Sequence, residues 1–169
     1  EAIDEICALA ADEGVVQPAN YNSPGQIVIS GDHAAIKKAV QLATEKGARK
    51  ALELIVGGAF HSPLMEGARQ KLKLALDETV FNDARAPIYQ NATASAETDA
   101  TTIKKNLDLQ LTSPVRWIEC TEKMIADGAN RFYELGPGKV LTGLVRRIDR
   151  QIIPTPLGTV EQLAALQNE

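Results

Sequence analysis

The sequence predicts an α/β protein. Short strand-like runs alternate with segments of helical period, glycines and prolines punctuate the joins, and the apolar residues are overwhelmingly aliphatic. Of 169 residues, 44% are hydrophobic but only 4% aromatic, so Leu, Ile, Val and Ala must fill the interior. That length supports a sizeable core, as one domain or two small ones. A net charge of −4 with 24% charged residues suits a soluble protein and argues against general nucleic-acid binding, which needs a basic excess. No apolar run approaches the length of a membrane span, and no signal peptide is recognisable. A cytoplasmic protein is expected. Cys7 and Cys120 fall inside helix-period segments without a C-x-x-C pair, which reads as buried free thiols in a reducing compartment. The chain opens on Glu1 inside an amphipathic pattern, and a fragment is therefore expected.

Each element has its own signal. Ile3, Ile6 and Ala10 recur at helical spacing, with Gly14 as a left-handed stop. Residues 15–19 read as a strand, Asn20-Tyr21-Asn22-Ser23-Pro24-Gly25 as a turn, and residues 26–30 as a second strand. Asp32 is placed to cap a helix running to about Lys46, with Ile36, Val40 and Ala43 on its inner face and Gly47 at its end. Residues 49–56 read as a strand. One further strand before the first helix would complete βαββαβ, the ferredoxin-like unit. A boundary near residues 56–58 divides that region, 1–57, from the remainder, 58–169.

Beyond the boundary, Pro63 suits the first turn of a helix with an apolar stripe of Leu64, Ala68, Leu72 and Leu76. Residues 87–91 read as a strand, 93–99 as a polar loop and 101–111 as a helix. Ser113 and Pro114 resemble an N-cap and first helical residue, opening a helix with Val115, Ile118, Met124 and Ile125 inward and Gly128 at its end. A strand over 131–135 runs into Gly136-Pro137-Gly138. A helix follows with Leu141, Leu144, Val145 and Ile148 on one face, then a break at Pro154 and Pro156 and a short helix over 160–167. Strands alternating with helices imply a parallel, helix-covered sheet.

Residues 57–65 read Gly-Gly-Ala-Phe-His-Ser-Pro-Leu-Met, a histidine in a glycine-rich loop directly after a strand-like run. Loops at the carboxyl ends of strands are where α/β enzymes collect active-site groups. No serine of the chain has the G-x-S-x-G spacing of a nucleophile elbow. The chain reads as the half of an enzyme that carries the base, without the half that carries the nucleophile.

Four motifs together narrow the reading. Residues 20–31 (Asn-Tyr-Asn-Ser-Pro-Gly-Gln-Ile-Val-Ile-Ser-Gly), 58–65 (Gly-Ala-Phe-His-Ser-Pro-Leu-Met), 110–117 (Gln-Leu-Thr-Ser-Pro-Val-Arg-Trp) and 133–143 (Tyr-Glu-Leu-Gly-Pro-Gly-Lys-Val-Leu-Thr-Gly) resemble the malonyl-CoA:acyl carrier protein transacylases. They stand in that family's order and spacing over nearly the whole chain, most weakly after Arg150. The resemblance implies an α/β-hydrolase-like acyltransferase large domain, of which 58–169 would be the C-terminal part. Residues 1–57 would be an incomplete ferredoxin-like small subdomain lacking its first strand. It also implies ping-pong acyl transfer: a serine takes malonate from malonyl-CoA, and the phosphopantetheine thiol of acyl carrier protein takes it from the serine. The partners implied are malonyl-CoA, acyl carrier protein and the missing N-terminal portion, with no cofactor, no metal, no nucleic acid and no membrane.

Carried over residue by residue, the resemblance makes His61 the catalytic base, for which an imidazole suits both half-reactions. A hydrogen-bonded structural histidine is the plainer account of the same loop. Gln110 matches the residue whose main-chain carbonyl holds the histidine's Nδ1–H; alternatively its side chain simply caps the following turn. Asn20 and Asn22 would project to one side of an extended stretch and line the cleft, or serve as turn formers. Phe60 would crowd an α-methyl branch and favour malonyl over methylmalonyl groups, or anchor the loop. Gly136-Pro137-Gly138 lacks both phosphate-loop spacings and reads as a tight turn. Lys139, Arg146, Arg147 and Arg150 form a basic cluster, either a carrier-protein dock or a solvated helix face. His33 reads as a surface residue, and no His or Cys spacing suits a metal. Two rivals remain at this stage: an acyltransferase domain from a polyketide or fatty-acid synthase, and a carrier-protein interaction module without chemistry.

Overall fold

A computed structural model describes residues 2–166, and its mixed α/β content agrees with the composition. Helix α1 (Ala2–Ala10) leads through a 3₁₀ turn at Ala11–Glu13 into strand β1 (Val16–Ser23), strand β2 (Gln26–Gly31) and helix α2 (His33–Glu45). Ile6, Ala10 and Ala39 form a buried cluster, with Ile3, Val16, Ile29, Leu42 and Ala43 packed around it. Alanines let the two helices and the hairpin approach closely. Ala35 and Ala39 are fully buried on α2, whereas Ile36 and Val40 of the expected inner face are half-buried. Asp32 precedes α2, but its carboxylate turns away from the helix and accepts from the Val15 amide at 2.8 Å.

The expected turn over residues 20–25 is shorter than predicted. β1 continues through Asn20, Tyr21 and Asn22, and only Pro24 and Gly25 connect the strands. Its ladder with β2 is antiparallel and slips twice, between Pro18 and Asn20 and between Tyr21 and Ser23. Ala19 and Asn22 are thus the extra residues of two β-bulges, which bend a strand and re-aim its side chains. Strict alternation, the basis for placing Asn20 and Asn22 on one side, does not hold there.

Residues 49–56 form no strand. A strand exists only through a neighbour, and this stretch pairs with none among the described residues, leaving Leu52, Leu54, Ile55 and Val56 exposed. The helix–hairpin–helix part of the expected βαββαβ unit is therefore present without this strand.

A 3₁₀ turn at Pro63–Met65 leads into α3 (Glu66–Glu78), and strand β3 (Ile88–Gln90) pairs antiparallel with β4 (Ser95–Glu97). The supposed polar loop is half of a hairpin, closed by the Ala94 amide on the Gln90 carbonyl at 2.8 Å. The stripe expected on α3 is not buried: Leu64, Ala68 and Leu72 are exposed and Leu76 is half-buried. Helix α4 (Ala100–Gln110) opens under Asp99, whose carboxylate accepts from the Thr102 amide at 2.7 Å. Helix α5 (Trp117–Ala126) starts later than Ser113-Pro114 suggested. The segment passes through a single parallel bridge at Val115 instead, where Val115 donates to the Ala19 carbonyl at 2.8 Å and accepts from the Tyr21 amide at 2.9 Å. β1 thus has β2 on one edge and Val115, in a parallel bridge, on the other.

Strand β5 (Tyr133–Leu135), helix α6 (Val140–Ile148), strand β6 (Thr155–Leu157) and helix α7 (Val160–Leu166) complete the described chain. β5 and β6 pair in parallel, so one parallel connection of the predicted kind is present, in a sheet of two strands. Pro156 lies inside β6 rather than ending it, an edge position that needs no amide donor. Gln167, expected to end the last helix, lies outside the described residues.

Both cysteines are free and buried. Burial pushes the Cys7 thiol up to about 11, with the Asp4 charge adding to it, and burial likewise raises Cys120. No described helix is long and apolar enough to cross a membrane.

Gly31 closes the hairpin against the start of β1, where a Cβ would stand 2.0 Å from the Val15 carbonyl oxygen and 2.7 Å from the Val16 Cα. Gly31→Ala should therefore cost about 3 kcal/mol, the upper range for overpacking, measured as a lowered urea midpoint. A midpoint equal to wild type would show that the hairpin shifts freely.

Candidate active site

The 57–65 loop is held from within and from both flanks. Ser62 is fully buried and its hydroxyl donates to the Ala59 carbonyl at 2.6 Å. The Phe60 ring lies over Gly58, where a Cβ would come within 3.3 Å of it. On the downstream side, Arg69 of α3 forks onto the Asp108 carboxylate of α4 through Nε at 3.2 Å and Nη2 at 2.9 Å. This half-buried bidentate pair ties the helix after the loop to the helix that ends at Gln110. α4 is seated in turn by a buried amide pair: Asn106 Nδ2 donates to Gln90 Oε1 at 2.8 Å, and Gln90 Nε2 donates to the Ile103 carbonyl at 3.1 Å.

His61 has φ 62°, the left-handed region that few non-glycine residues occupy. Its amide donates to the Leu111 carbonyl at 3.0 Å. Its ring Nδ1 lies 3.0 Å from the Gln110 carbonyl oxygen and 3.1 Å from that of Ser113. Carbonyl oxygens only accept, so Nδ1 carries the proton and donates to both. The Nε2 lone pair is then available to accept a proton from a substrate or nucleophile. The Gln110 side-chain amide lies 3.4 Å from Nδ1. Two donors cannot bond each other, and this amide donates instead to the Ser113 carbonyl at 3.1 Å. The main chain of Gln110 orients the ring, and its side chain braces the second acceptor.

Asn20 stands opposite Val115, two residues past Ser113, and so borders the same segment. Asn22 is the extra residue of the second bulge, and no hydrogen bond joins it to His61 among the described residues. Both are half-buried, and neither side chain is hydrogen-bonded among the described residues, so their amides are available to a ligand. Phe60, next to His61 in the chain, is half-exposed. Gln17, which sequence reasoning passed over, donates from Nε2 to the His61 carbonyl at 2.7 Å. Arg116 was noticed only as part of a motif. It pairs with Glu119 and donates from Nη1 to the Thr93 carbonyl at 3.0 Å, bracing the turn after β3.

The glycine-proline-glycine turn is not an anion site. Glu134 of β5 already occupies the start of α6, accepting from the Leu141 amide at 3.0 Å and the Thr142 amide at 2.7 Å. Those bonds lower its pKa below the usual carboxylate range. A cleft of about 370 Å³ beside this turn is lined by Pro137, Gly138, Lys139, Pro156, Gly158, Thr159 and Gln162. The Gly158 and Thr159 amides there are taken by Gln162 Oε1. Lys139, Arg146, Arg147 and Arg150 are all exposed, and Arg147 donates to Gln26 of β2. His33 is exposed at the start of α2, 3.4 Å from Glu53. No cluster suited to a metal ion occurs among the described residues.

Residues 2–161 match the family model described as acyl transferase domain. The chain belongs to that family. A malonyl CoA-acyl carrier protein transacylase from Staphylococcus aureus (strain COL) is 41% identical over 96% of this acyl transferase chain and 53% of its own length. The Bacillus subtilis (strain 168) protein of the same name is 46% identical over 90% of this chain and 48% of its own. The solved acyl carrier protein S-malonyltransferase of Vibrio cholerae O1 biovar eltor superposes with a TM-score of 0.94 at 45% identity, covering 98% of this chain and 54% of that one. A malonyl-transacylase solved in complex with its type II PKS acyl-carrier protein reaches 0.93 at 36% identity, covering 99% and 54%. The chain spans about half the length of the curated relatives it matches.

Because the Gln110 carbonyl rather than its side chain holds Nδ1, Gln110→Ala should leave the proton on Nδ1. Long-range ¹H–¹⁵N spectra of the imidazole measure this directly. A shift of the proton to Nε2 in that variant would assign the orienting role to the side chain.

Proposed function

We propose that this chain carries the general base of a malonyl-CoA:acyl carrier protein transacylase, and that His61 is that base. The observation that carries the reading is the Nδ1–H donated to two main-chain carbonyls, those of Gln110 and Ser113. It leaves Nε2 free to accept a proton and stabilises the ring's orientation without a partner carboxylate. In the first half-reaction Nε2 takes the proton of a serine hydroxyl as its oxygen attacks the malonyl thioester. The carbon–sulfur bond breaks, coenzyme A leaves as the thiol with the proton returned from the imidazolium, and a malonyl-serine ester remains. In the second, Nε2 takes the proton of the carrier protein's phosphopantetheine thiol, which attacks the ester; the imidazolium then returns the proton to the departing serine oxygen. No cofactor or metal is required by these steps.

The serine is the part this chain does not carry in a G-x-S-x-G setting, and relatives about twice as long offer ample chain for it. In this proposal Gln110 orients the base, and Asn20 and Asn22, whose side-chain amides have no hydrogen bond among the described residues, are the groups offered to the acyl group. Phe60, held over Gly58, narrows the space beside the base against an α-methyl branch. Residues 1–57 correspond to an incomplete ferredoxin-like small subdomain. Residues 58–169 correspond to the C-terminal part of an α/β-hydrolase-like large domain. Malonyl-CoA and an acyl carrier protein are the substrates, and the setting is bacterial-type fatty-acid synthesis in the cytoplasm.

Incubating the 169-residue chain with malonyl-CoA and weighing it intact should show no covalent adduct. An adduct would reveal a nucleophile within this chain. In the whole enzyme, His61→Ala should slow serine acylation by about 10²–10⁴-fold, the usual range for a general base. Unchanged single-turnover acylation in that variant would remove His61 from the chemistry.

A further inference from the structure

We infer that Gln17 is a positioning residue for the His61 imidazole, acting through the His61 main chain; the inference rests on the reading of His61 as the base. Gln17 is half-buried on β1, paired across the hairpin with Ser30. Its Nε2 reaches 44 residues along the sequence to the His61 carbonyl oxygen at 2.7 Å. The contact falls on a residue whose backbone is costly. A left-handed non-glycine residue is disfavoured by roughly 1–2 kcal/mol, and such a conformation persists only where its surroundings over-determine it.

The surroundings of His61 do so at both of its peptide groups. The amide is held by the Leu111 carbonyl at 3.0 Å, and the carbonyl is held by Gln17. With both peptide planes anchored, the ring has only its two side-chain torsions with which to meet the Gln110 and Ser113 carbonyls. A donor is required at position 17, since the His61 oxygen can only accept. A carboxylate there would set lone pair against lone pair, and a serine would fall short of the loop.

The same strand also fixes the acceptors. Gln110 ends α4, and Leu111 and Ser113 lie in the turn that follows it. That turn is stitched to β1 by Val115, bonded to Ala19 and Tyr21 at 2.8 and 2.9 Å. Ala19 is two residues from Gln17. A closed circuit results: β1 to Gln17, Gln17 to the His61 backbone, the ring to Ser113, and Val115 back to β1. β1 therefore sets the distance between the ring's origin and its two acceptors, with Gln17 as the link on the ring's side.

The test uses ¹⁵N- and ¹³C-labelled full chain with Gln17→Met, which keeps the length and apolar bulk of the side chain but donates nothing. The wild type should show His61 with its proton on Nδ1 and with left-handed Cα and Cβ shifts. Gln17→Met should show a mixture of tautomers, loss of those shifts and His61 amide exchange faster by about tenfold or more. A glutamine with a merely structural part would lower the urea midpoint and leave the tautomer alone. A folded Gln17→Met chain with wild-type tautomer and exchange overturns the proposal. Should that variant unfold, Gln17→Lys, which restores a donor of similar reach, must retain the Nδ1 tautomer; a folded Lys variant with a mixture overturns it equally. These readouts need no substrate, so their failure is distinct from a failure of His61 to act in acylation.

Discussion

Strand β1 is hydrogen-bonded along both edges, to β2 through an antiparallel ladder and to Val115 through a parallel bridge. The bridge joins Asn20 to Val115, 95 residues further along the chain. The α1–α2 helix layer packs on the hairpin through Ile6, Ala10 and Ala39, so the strand is rigid on its own side. On the other side it carries Ala19 and Tyr21 into the segment that supplies the acceptors for the His61 ring. Among the described residues, the histidine loop and the hairpin are otherwise joined by the Gln17 side chain and by the unpaired stretch over residues 49–56.

The choice of main-chain carbonyls to orient an imidazole has physical consequences. A carboxylate would add a full charge beside the ring and would depend on the rotamer of one side chain. Two carbonyls add only dipoles, and their positions follow from the end of α4 and the turn after it. That turn is seated by the Gln90–Asn106 amide pair and the Arg69–Asp108 fork. The orientation of a single ring thus rests on one buried amide pair and one half-buried ion pair that lie on α3, α4 and β3, none of which touches the ring. Buried networks of this kind are effective when every member is satisfied, as the Gln90 and Asn106 amides are with each other and with the Ile103 carbonyl.

Local chemistry was largely readable from the sequence. The helices at both ends, the positive-φ glycines at 14 and 128 and the histidine loop all follow from residue type and spacing, whereas the Asp99 cap shows only in the structure. The Gln110 carbonyl stands 3.0 Å from Nδ1, a contact that no local spacing announces and that only the resemblance in four motifs implies. Misreadings cluster where a partner decides. Ser113 and Pro114 look like a helix start, yet the bridge between Val115 and β1 takes the segment past them before α5 begins. Residues 95–97 look like polar loop, yet they have a strand to pair with. Residues 49–56 look like a strand and have none. Pro156 looks like a breaker and sits unpunished on an edge.

Gln17 illustrates the limit most clearly. A glutamine in a strand carries no motif, and its importance lies in meeting a carbonyl 44 residues away. Sequence alone determined which residues are able to do chemistry here, because an imidazole, an amide or a left-handed turn is a property of the residue itself. Tertiary structure alone decided which of them meet. Hydrogen bonds between distant segments depend on ångström-scale placement, and that placement arises only when ladders, bulges and packed helices form together.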